Sequence, residues 1–397
     1  MKVTNHYAEV VLQRRRREMP NNKVYFLSQY SDNTLEVSWS AIMHNINYFK
    51  EKLNPSTKVM LMVKAAAYGH YTSVICKKVE ANKMADMFGV ATFAEGMELR
   101  AEGIQLPVMV QNVSPQYWDV MVEHCLEPVI HSFQVLDSLL NYLHSQESLL
   151  AGQYPIHIKL NTGMNRLGFD EVDLPELVSC LMNQEAIRVC SIMSHLSSSG
   201  NDAAEKFTFD QIELFKNLSF RLKNGLKIDA FCHILNTDGI NNYLDHQMDM
   251  VRLGIGLYGA SEADDLKNDL IQVTRFSSKI VATRLVFKDE FISYNRSGTI
   301  EKDSNIAILS LGYADGVPRV LGNGNWKFEV NGKLYPTVGN ICMDLCMIDL
   351  GQDIIEVGTI AIVFGGEKSL FDFAKAQGTI TYEALTNIGN RMLRKLV

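Results

Sequence analysis

The sequence predicts an α/β fold: a (β/α)8 TIM-like barrel followed by a mostly β C-terminal domain. Three observations carry that expectation: eight short apolar runs between residues 59 and 253, helical periodicity between most of them, and a change of texture after residue 273. The apolar runs fall at residues 59–63, 87–91, 107–110, 127–130, 156–160, 189–193, 230–234 and 250–253. Amphipathic spacing marks 94–102, 116–125, 133–143 and 205–222 as helices. Alternating strand and helix signals imply a parallel sheet with crossover helices, and eight such units in roughly 240 residues fit a closed barrel. Beyond residue 273, the runs 275–286, 305–311, 327–330 and 359–364 read as strands between Gly, Asn and Asp turns. Helical periodicity returns only at 382–396. The expected division is an N-terminal arm at 1–33, the barrel at 34–273 and the β domain at 274–397. No internal repeat or low-complexity linker interrupts it.

With 397 residues, 47% hydrophobic and 21% charged, the chain can bury two substantial cores. A net charge of -7 argues against a general nucleic-acid binder, which needs a basic surface. The one basic cluster, the arginines at 14–17, is followed at once by Glu18 and reads as a solvated arm. The first 30 residues hold no apolar signal region, and no stretch reaches the ~18 apolar residues that span a bilayer. Neither membrane insertion nor secretion is therefore expected. Seven cysteines, odd in number and without a C-x-x-C pair, read as reduced thiols in a cytoplasmic protein. Cys342 and Cys346 lack a nearby histidine or second cysteine pair, so no metal site is expected.

The sharpest local feature is VMLMVKAAAYGHY at 59–71, an apolar strand running straight into Lys64. An unpaired lysine there is costly unless it snorkels outward or is chemically used. In a barrel, strand C-terminal ends form the mouth where catalytic groups sit. A lysine that reacts as a nucleophile must be neutral. With a reference pKa near 10.4, only about one in 2,500 is neutral at pH 7, a handicap that desolvation and neighbouring cations reduce.

VKAAAYGHY at 63–71 resembles the lysine segment of the alanine racemase family. The resemblance continues in order from about residue 35 to 397. It runs through IKLNTGMNRLGF (158–169), SHLSSS (194–199), HILNTDGI (233–240), VRLGIGLYG (251–259), ISYNRSG (292–298), LGYADGVPR (311–319), VGNICMDL (338–345) and TYEALTNI (381–388). One such segment would be weak; this many in order are specific. The resemblance implies pyridoxal 5'-phosphate as cofactor, carried covalently on Lys64. It implies a phosphate cradle of the Tyr68, Thr237 and Tyr382 hydroxyls with the backbone N–H groups of Gly254 and Ile255. Arg252 would face the cofactor's ring nitrogen, and a guanidinium keeps its proton at neutral pH.

Racemisation needs proton transfer on both faces of one carbon. The resemblance implies Lys64 on one face and Tyr294 on the other, with His195, Arg252 and the more remote His233 supplying a hydrogen-bonded positive field. Because Tyr294 lies in the second domain, it also implies a homodimer with composite sites. Arg166 would bind the substrate carboxylate or the cofactor's phenolic oxygen. Lys159 matches a position often carbamylated, a change that would turn a local +1 beside Arg166 into -1. Tyr313 and Met343 would line the substrate entrance, with Asp344 a supporting acid. Tyr382 would leave room for little more than a methyl group, which favours alanine and excludes serine only weakly. Supply of D-alanine for peptidoglycan follows by analogy.

The sequence departs from the family pattern at Ala66 (commonly Asn), Asn161 (Asp), Asn295 (Gly), Asn340 (Arg) and Leu345 (Gln). None removes a proposed catalytic group. Three other readings compete. A barrel-type pyridoxal-phosphate decarboxylase is opposed by Arg252, and a non-catalytic cofactor carrier by the second domain. A dinucleotide enzyme reading GIGLYG (254–259) is opposed by that string's position late in the chain, with no helix expected after it.

Overall fold

The computed structural model describes residues 31–145, 153–182, 184–261 and 269–397. The expected basic cluster at 14–17, and most of the arm that holds it, lies outside the described residues.

Two compact units are present. The barrel unit comprises residues 37–274, 369–386 and 396–397. Among the described residues, the β unit comprises 31–36, 275–368 and 387–395. The expected boundaries differ from this division at residues 34–36, 274, 369–386 and 396–397. Residues 34–36 join the β unit as part of strand β1 (Thr34–Val37), and residues 369–386 return to the barrel unit.

All eight expected barrel strands are present as β2 (Lys58–Met62), β3 (Met87–Val90), β4 (Val108–Val110), β5 (Glu127–Ile130), β6 (Tyr154–Lys159), β7 (Ile187–Met193), β8 (Phe231–His233) and β9 (Met250–Leu253). Neighbouring strands pair in parallel in the order β8-β7-β6-β5-β4-β3-β2-β9. The ring closes where the Asp249 N–H donates to the Cys232 carbonyl at 3.2 Å and the Arg252 N–H to the Leu235 carbonyl at 3.0 Å. Helices α1 (Trp39–Lys52), α2 (Thr72–Ala81), α3 (Phe93–Ala101), α4 (Trp118–Glu123), α5 (Phe133–Ser145), α6 (Leu174–Leu181) and α7 (Glu205–Leu226) alternate with these strands. Each turns an apolar stripe inward; on α1 it is Ala41, Ile42, Ile46 and Phe49. Strands β3, β4 and β9 are buried along their whole length, which explains why they read as continuous apolar runs rather than alternating ones.

GIGLYG follows β9 as a short 3-10 turn, Ile255–Tyr258, and not as a dinucleotide helix. Its middle glycine is needed for packing. A Cβ on Gly256 would lie 2.7 Å from both the Phe49 ring and the Thr237 methyl.

Between residues 274 and 364 the strand pairs of the β unit are antiparallel. Its strands after β1 are β10 (Thr274–Val286), β11 (Ser304–Leu309), β12 (Lys327–Val330), β13 (Lys333–Pro336), β14 (Cys346–Gly351), β15 (Ile360–Phe364) and β16 (Leu393–Leu396). β10 pairs with β15 along its first half and with β11 along its second, bending at a register shift between Ile280 and Ala282. The helix expected over 382–396 is shorter than its periodicity suggested. Only α10 (Thr381–Thr386) is helical, and Leu393–Leu396 is a strand. Helicity stops at Thr386, and Gly389 beyond it is seated so that a Cβ would meet the Ala314 carbonyl oxygen at 2.4 Å. Between β15 and α10 lie α9 (Leu370–Gln377) and its Ser369/Asp372 capping box.

Candidate active site

The chain leaves β2 at Met62 and turns immediately at Lys64. Ala65 through Tyr68 all take left-handed backbone angles, with φ between 51° and 56°. For residues with a Cβ this conformation costs about 1–2 kcal/mol each, so it persists only where the surroundings impose it. Several contacts do so. The Glu95 carboxylate, part of the capping box of α3, reaches across to accept from the Ala65 N–H at 2.7 Å while holding Ala91 N–H at 2.7 Å. Buried His70 donates through Nδ1 to the Ala67 carbonyl at 2.7 Å and stacks on Tyr258. Gly69 lies so close to α10 that a Cβ would sit 2.3 Å from the Leu385 carbonyl oxygen.

This turn aims Lys64 into a cavity of about 110 Å³. Nine of the residues expected from sequence line it: Lys64, Tyr68, Lys159, Arg166, His195, Thr237, Arg252, Gly254 and Tyr382. Met62, Gln111, Met193 and Asn236 complete the lining and were not anticipated. Two of these were findable. Gln111 directly follows the C-terminal end of β4, and Asn236 is the N-cap of α8 (Thr237–Asn242) within HILNTDGI. The two methionines carry no signal that separates them from core.

Four cations, Lys64, Lys159, Arg166 and Arg252, share the lining, and no carboxylate does. The consequence is electrostatic. The Lys64 ammonium is lowered from the ordinary lysine range by burial, then by Arg166 and Arg252, against the opposing pull of Glu95. Lys159 is pushed down to about 8 by burial and the same cations. Arg252, wholly buried, is pushed down to about 10, still far above neutrality. His195 is held well below the usual histidine range by burial and then by Arg252, so it is neutral.

Arg252 is fixed by five contacts. Nη2 donates to the Ser194 carbonyl at 2.7 Å and the Ile234 carbonyl at 2.9 Å, and Nη1 to the His233 carbonyl at 3.2 Å. Nη1 also meets His233 Nδ1 at 2.6 Å, and Nη2 meets His195 Nδ1 at 3.2 Å. A guanidinium only donates, so both Nδ1 atoms accept and each neutral ring carries its proton on Nε2.

The residues present fit pyridoxal phosphate. The Thr237 hydroxyl oxygen accepts from the Gly254 N–H at 3.1 Å and the Gly256 N–H at 3.3 Å, which turns its own proton toward an incoming acceptor. A Cβ at Gly254 would fall 2.9 Å from the Tyr68 hydroxyl, so only glycine leaves that hydroxyl approachable. Tyr382 packs its ring 5.9 Å from that of Tyr68. The expected Gly254 N–H donor is thus already taken by Thr237. Ile255 opens the 3-10 turn beside it. A lining whose charged groups are all cations, with hydroxyl donors beside them, suits a phosphate dianion and a carboxylate.

The remaining expected residues belong to the β unit. Tyr294 is 68% exposed, in a turn where Asn295 takes φ 58°, a conformation asparagine tolerates without glycine. Asn340 donates to the Tyr294 carbonyl at 3.1 Å, so this departure from the family pattern helps hold the tyrosine loop. Tyr313 and Met343 lie on two loops joined by the Tyr313 N–H to Cys342 carbonyl bond at 3.0 Å. Arg391, not anticipated from sequence, clamps both loops. It binds buried Asp315 with two bonds of 2.9 Å and Asp344 at 2.7 Å.

Comparison with known proteins agrees over nearly the whole chain. Residues 37–262 match the family model described as alanine racemase, N-terminal domain, and residues 273–396 the one described as alanine racemase, C-terminal domain. Alanine racemase 1 of Oceanobacillus iheyensis is 33% identical over 94% of this chain and 100% of its own length. Among solved structures, an alanine racemase of Clostridium difficile 630 superposes with a TM-score of 0.84 at 30% identity, covering 90% of this chain and 93% of that one. The alanine racemase of Streptomyces coelicolor A3(2) gives a TM-score of 0.84 at 27% identity, covering 92% and 98%.

Proposed function

Since this chain belongs to the alanine racemase family, we propose that it interconverts L- and D-alanine using pyridoxal 5'-phosphate held by Lys64, with Lys64 and Tyr294 serving opposite faces of the substrate carbon. The observation that carries this reading is the cavity in which Lys64 meets Tyr68, Thr237, Gly254, Tyr382 and Arg252. When bound, pyridoxal phosphate supplies an electron sink that acidifies the substrate's α C–H bond. The Tyr68, Thr237 and Tyr382 hydroxyls, with the Ile255 N–H, would hold its phosphate. Arg252, which only donates and keeps its proton, would face the ring nitrogen and limit that sink, which disfavours side reactions and decarboxylase chemistry alike. Lys64 Nζ moves the proton on one face. Tyr294 Oη moves it on the other, helped by the Nε2–H that His195 has left to donate. Arg166 would receive the substrate carboxylate.

Tyr294 serves the barrel of a second copy, in a homodimer with composite sites. The exposure of Phe291, Tyr294, Tyr313, Met343 and Leu345 on one unit supports that arrangement. The seven free thiols support a cytoplasmic setting, where D-alanine would feed peptidoglycan. Among the described residues, no helix is long and apolar enough to cross a membrane. The direct test is a chiral assay across a panel of L-amino acids. L-Alanine should be the fastest; faster turnover of L-serine or L-lysine would overturn the substrate assignment.

Lys159 carries the carbamate. Carbamylation needs a neutral amine, and an ammonium lowered to about 8 supplies one increasingly as pH rises through that value. At fixed dissolved carbon dioxide, a 13C carbamate resonance should grow between about pH 7 and 9. It should be absent in Lys159→Ala, and a map showing an unmodified amine would remove the idea.

A further inference from the structure

Arg252 is buried, and no carboxylate among the described residues pairs with it directly. A buried cation without a counter-charge is costly, so the question is where its negative partner lies. From the Arg252 end, the first two hydrogen bonds have a forced direction, and the next two follow once Ser191 gives its single proton to His157. Arg252 Nη1 donates to His233 Nδ1 at 2.6 Å. His233, neutral because burial and Arg252 hold it well below the usual histidine range, therefore carries its proton on Nε2, 2.9 Å from Ser191 Oγ. Having accepted there, the Ser191 hydroxyl donates to its other neighbour, His157 Nδ1, at 2.7 Å. His157 then carries its proton on Nε2, which meets Glu127 Oε2 at 2.9 Å. The five residues come from five adjacent strands, β9, β8, β7, β6 and β5, one from each. The three middle members are buried at 0–1% exposure, which excludes solvent as their alternative partner. Glu127 opens its strand, at the end of the barrel opposite the catalytic mouth.

We propose that Glu127 is the remote counter-charge of Arg252, and that His157, Ser191 and His233 transmit it as a one-directional hydrogen-bond chain that positions the guanidinium. These are positioning residues: none lines the cavity except Arg252 itself. The carboxylate polarises each ring in turn and strengthens the Nδ1 acceptor that Arg252 needs. The role in turnover rests on the assignment of Arg252 to the cofactor ring; the chain itself does not.

The first test uses the wild-type chain without cofactor. In 15N-histidine-labelled protein, both His233 and His157 should show a protonated Nε2 and a bare Nδ1. An Nδ1 proton on either ring would overturn the proposal, whatever becomes of Lys64. The second is a double-mutant cycle with Glu127→Gln and Ser191→Ala. Glu127→Gln should move the His233 Nδ1 resonance and lower kcat/KM by about tenfold, the scale of coupling within one hydrogen-bond network. With Ser191→Ala already present, the same change should move neither quantity further. Independent, multiplicative effects would mean that no signal passes through Ser191, and the proposal would fall.

Discussion

Lys64→Ala is expected to lower racemase turnover by about ten-thousandfold or more, because one substitution removes both the cofactor's covalent anchor and the proton carrier for one face. Borohydride reduction of the wild-type holoenzyme followed by peptide mapping should place the label on Lys64, and the variant should take none. A label on another side chain would end the present assignment. The structure adds a condition on pH. Burial, then Arg166 and Arg252, lower the Lys64 ammonium, so its neutral form appears at a lower pH than on an exposed lysine. An amine-directed reagent applied to the cofactor-free chain should therefore modify Lys64 with a pH midpoint below the ordinary lysine value. Removing the Arg166 charge should raise that midpoint toward it, and Glu95→Gln should lower it further, because the Glu95 carboxylate favours the ammonium. Added methylamine should restore part of the lost turnover, increasingly as pH rises, since only the free base can carry the proton.

Much of this site was legible because chemistry and backbone leave joint traces. Lys64 stood out because an apolar strand ran into a charge. The barrel strands stood out because most of their residues are buried and apolar, as in the wholly buried β3, β4 and β9. The same rule failed where strands are short or half-buried. β13 went unrecognised although Asn331 and Gly332, both at positive φ, form the two-residue turn that closes its hairpin with β12. α9 went unrecognised although Ser369, Asp372 and Gly378 supply its two caps. Lining residues were legible when the resemblance gave them a chemical role, as for Thr237, and not when their role is contact alone, as for Met62 and Met193. Arg391 and Ser191 had no trace at all. Each acts by joining elements far apart in sequence, so only the folded chain shows what they hold.

Tyr294→Phe should keep the cofactor and its yellow absorption while lowering racemisation by about a hundred- to ten-thousandfold, the usual contribution of one positioned acid or base. The loss cannot fall on one direction alone. L- and D-alanine have equal free energy, so kcat/KM for the two directions must stay equal in any variant. What the two-base arrangement does predict is an asymmetry in hydrogen exchange. With Tyr294 gone, Lys64 still reaches one face. In deuterium oxide, one enantiomer of alanine should continue to exchange its α-hydrogen with retention of configuration, much faster than it racemises. The other enantiomer should exchange no faster than racemisation allows. The His195 geometry bears on the same point. Because its Nδ1 accepts from Arg252, its Nε2–H remains to stabilise a phenolate, and phenylalanine gives it nothing to hold. If both enantiomers of alanine lost exchange equally in Tyr294→Phe, the tyrosine would be acting on substrate placement and not as the base of one face.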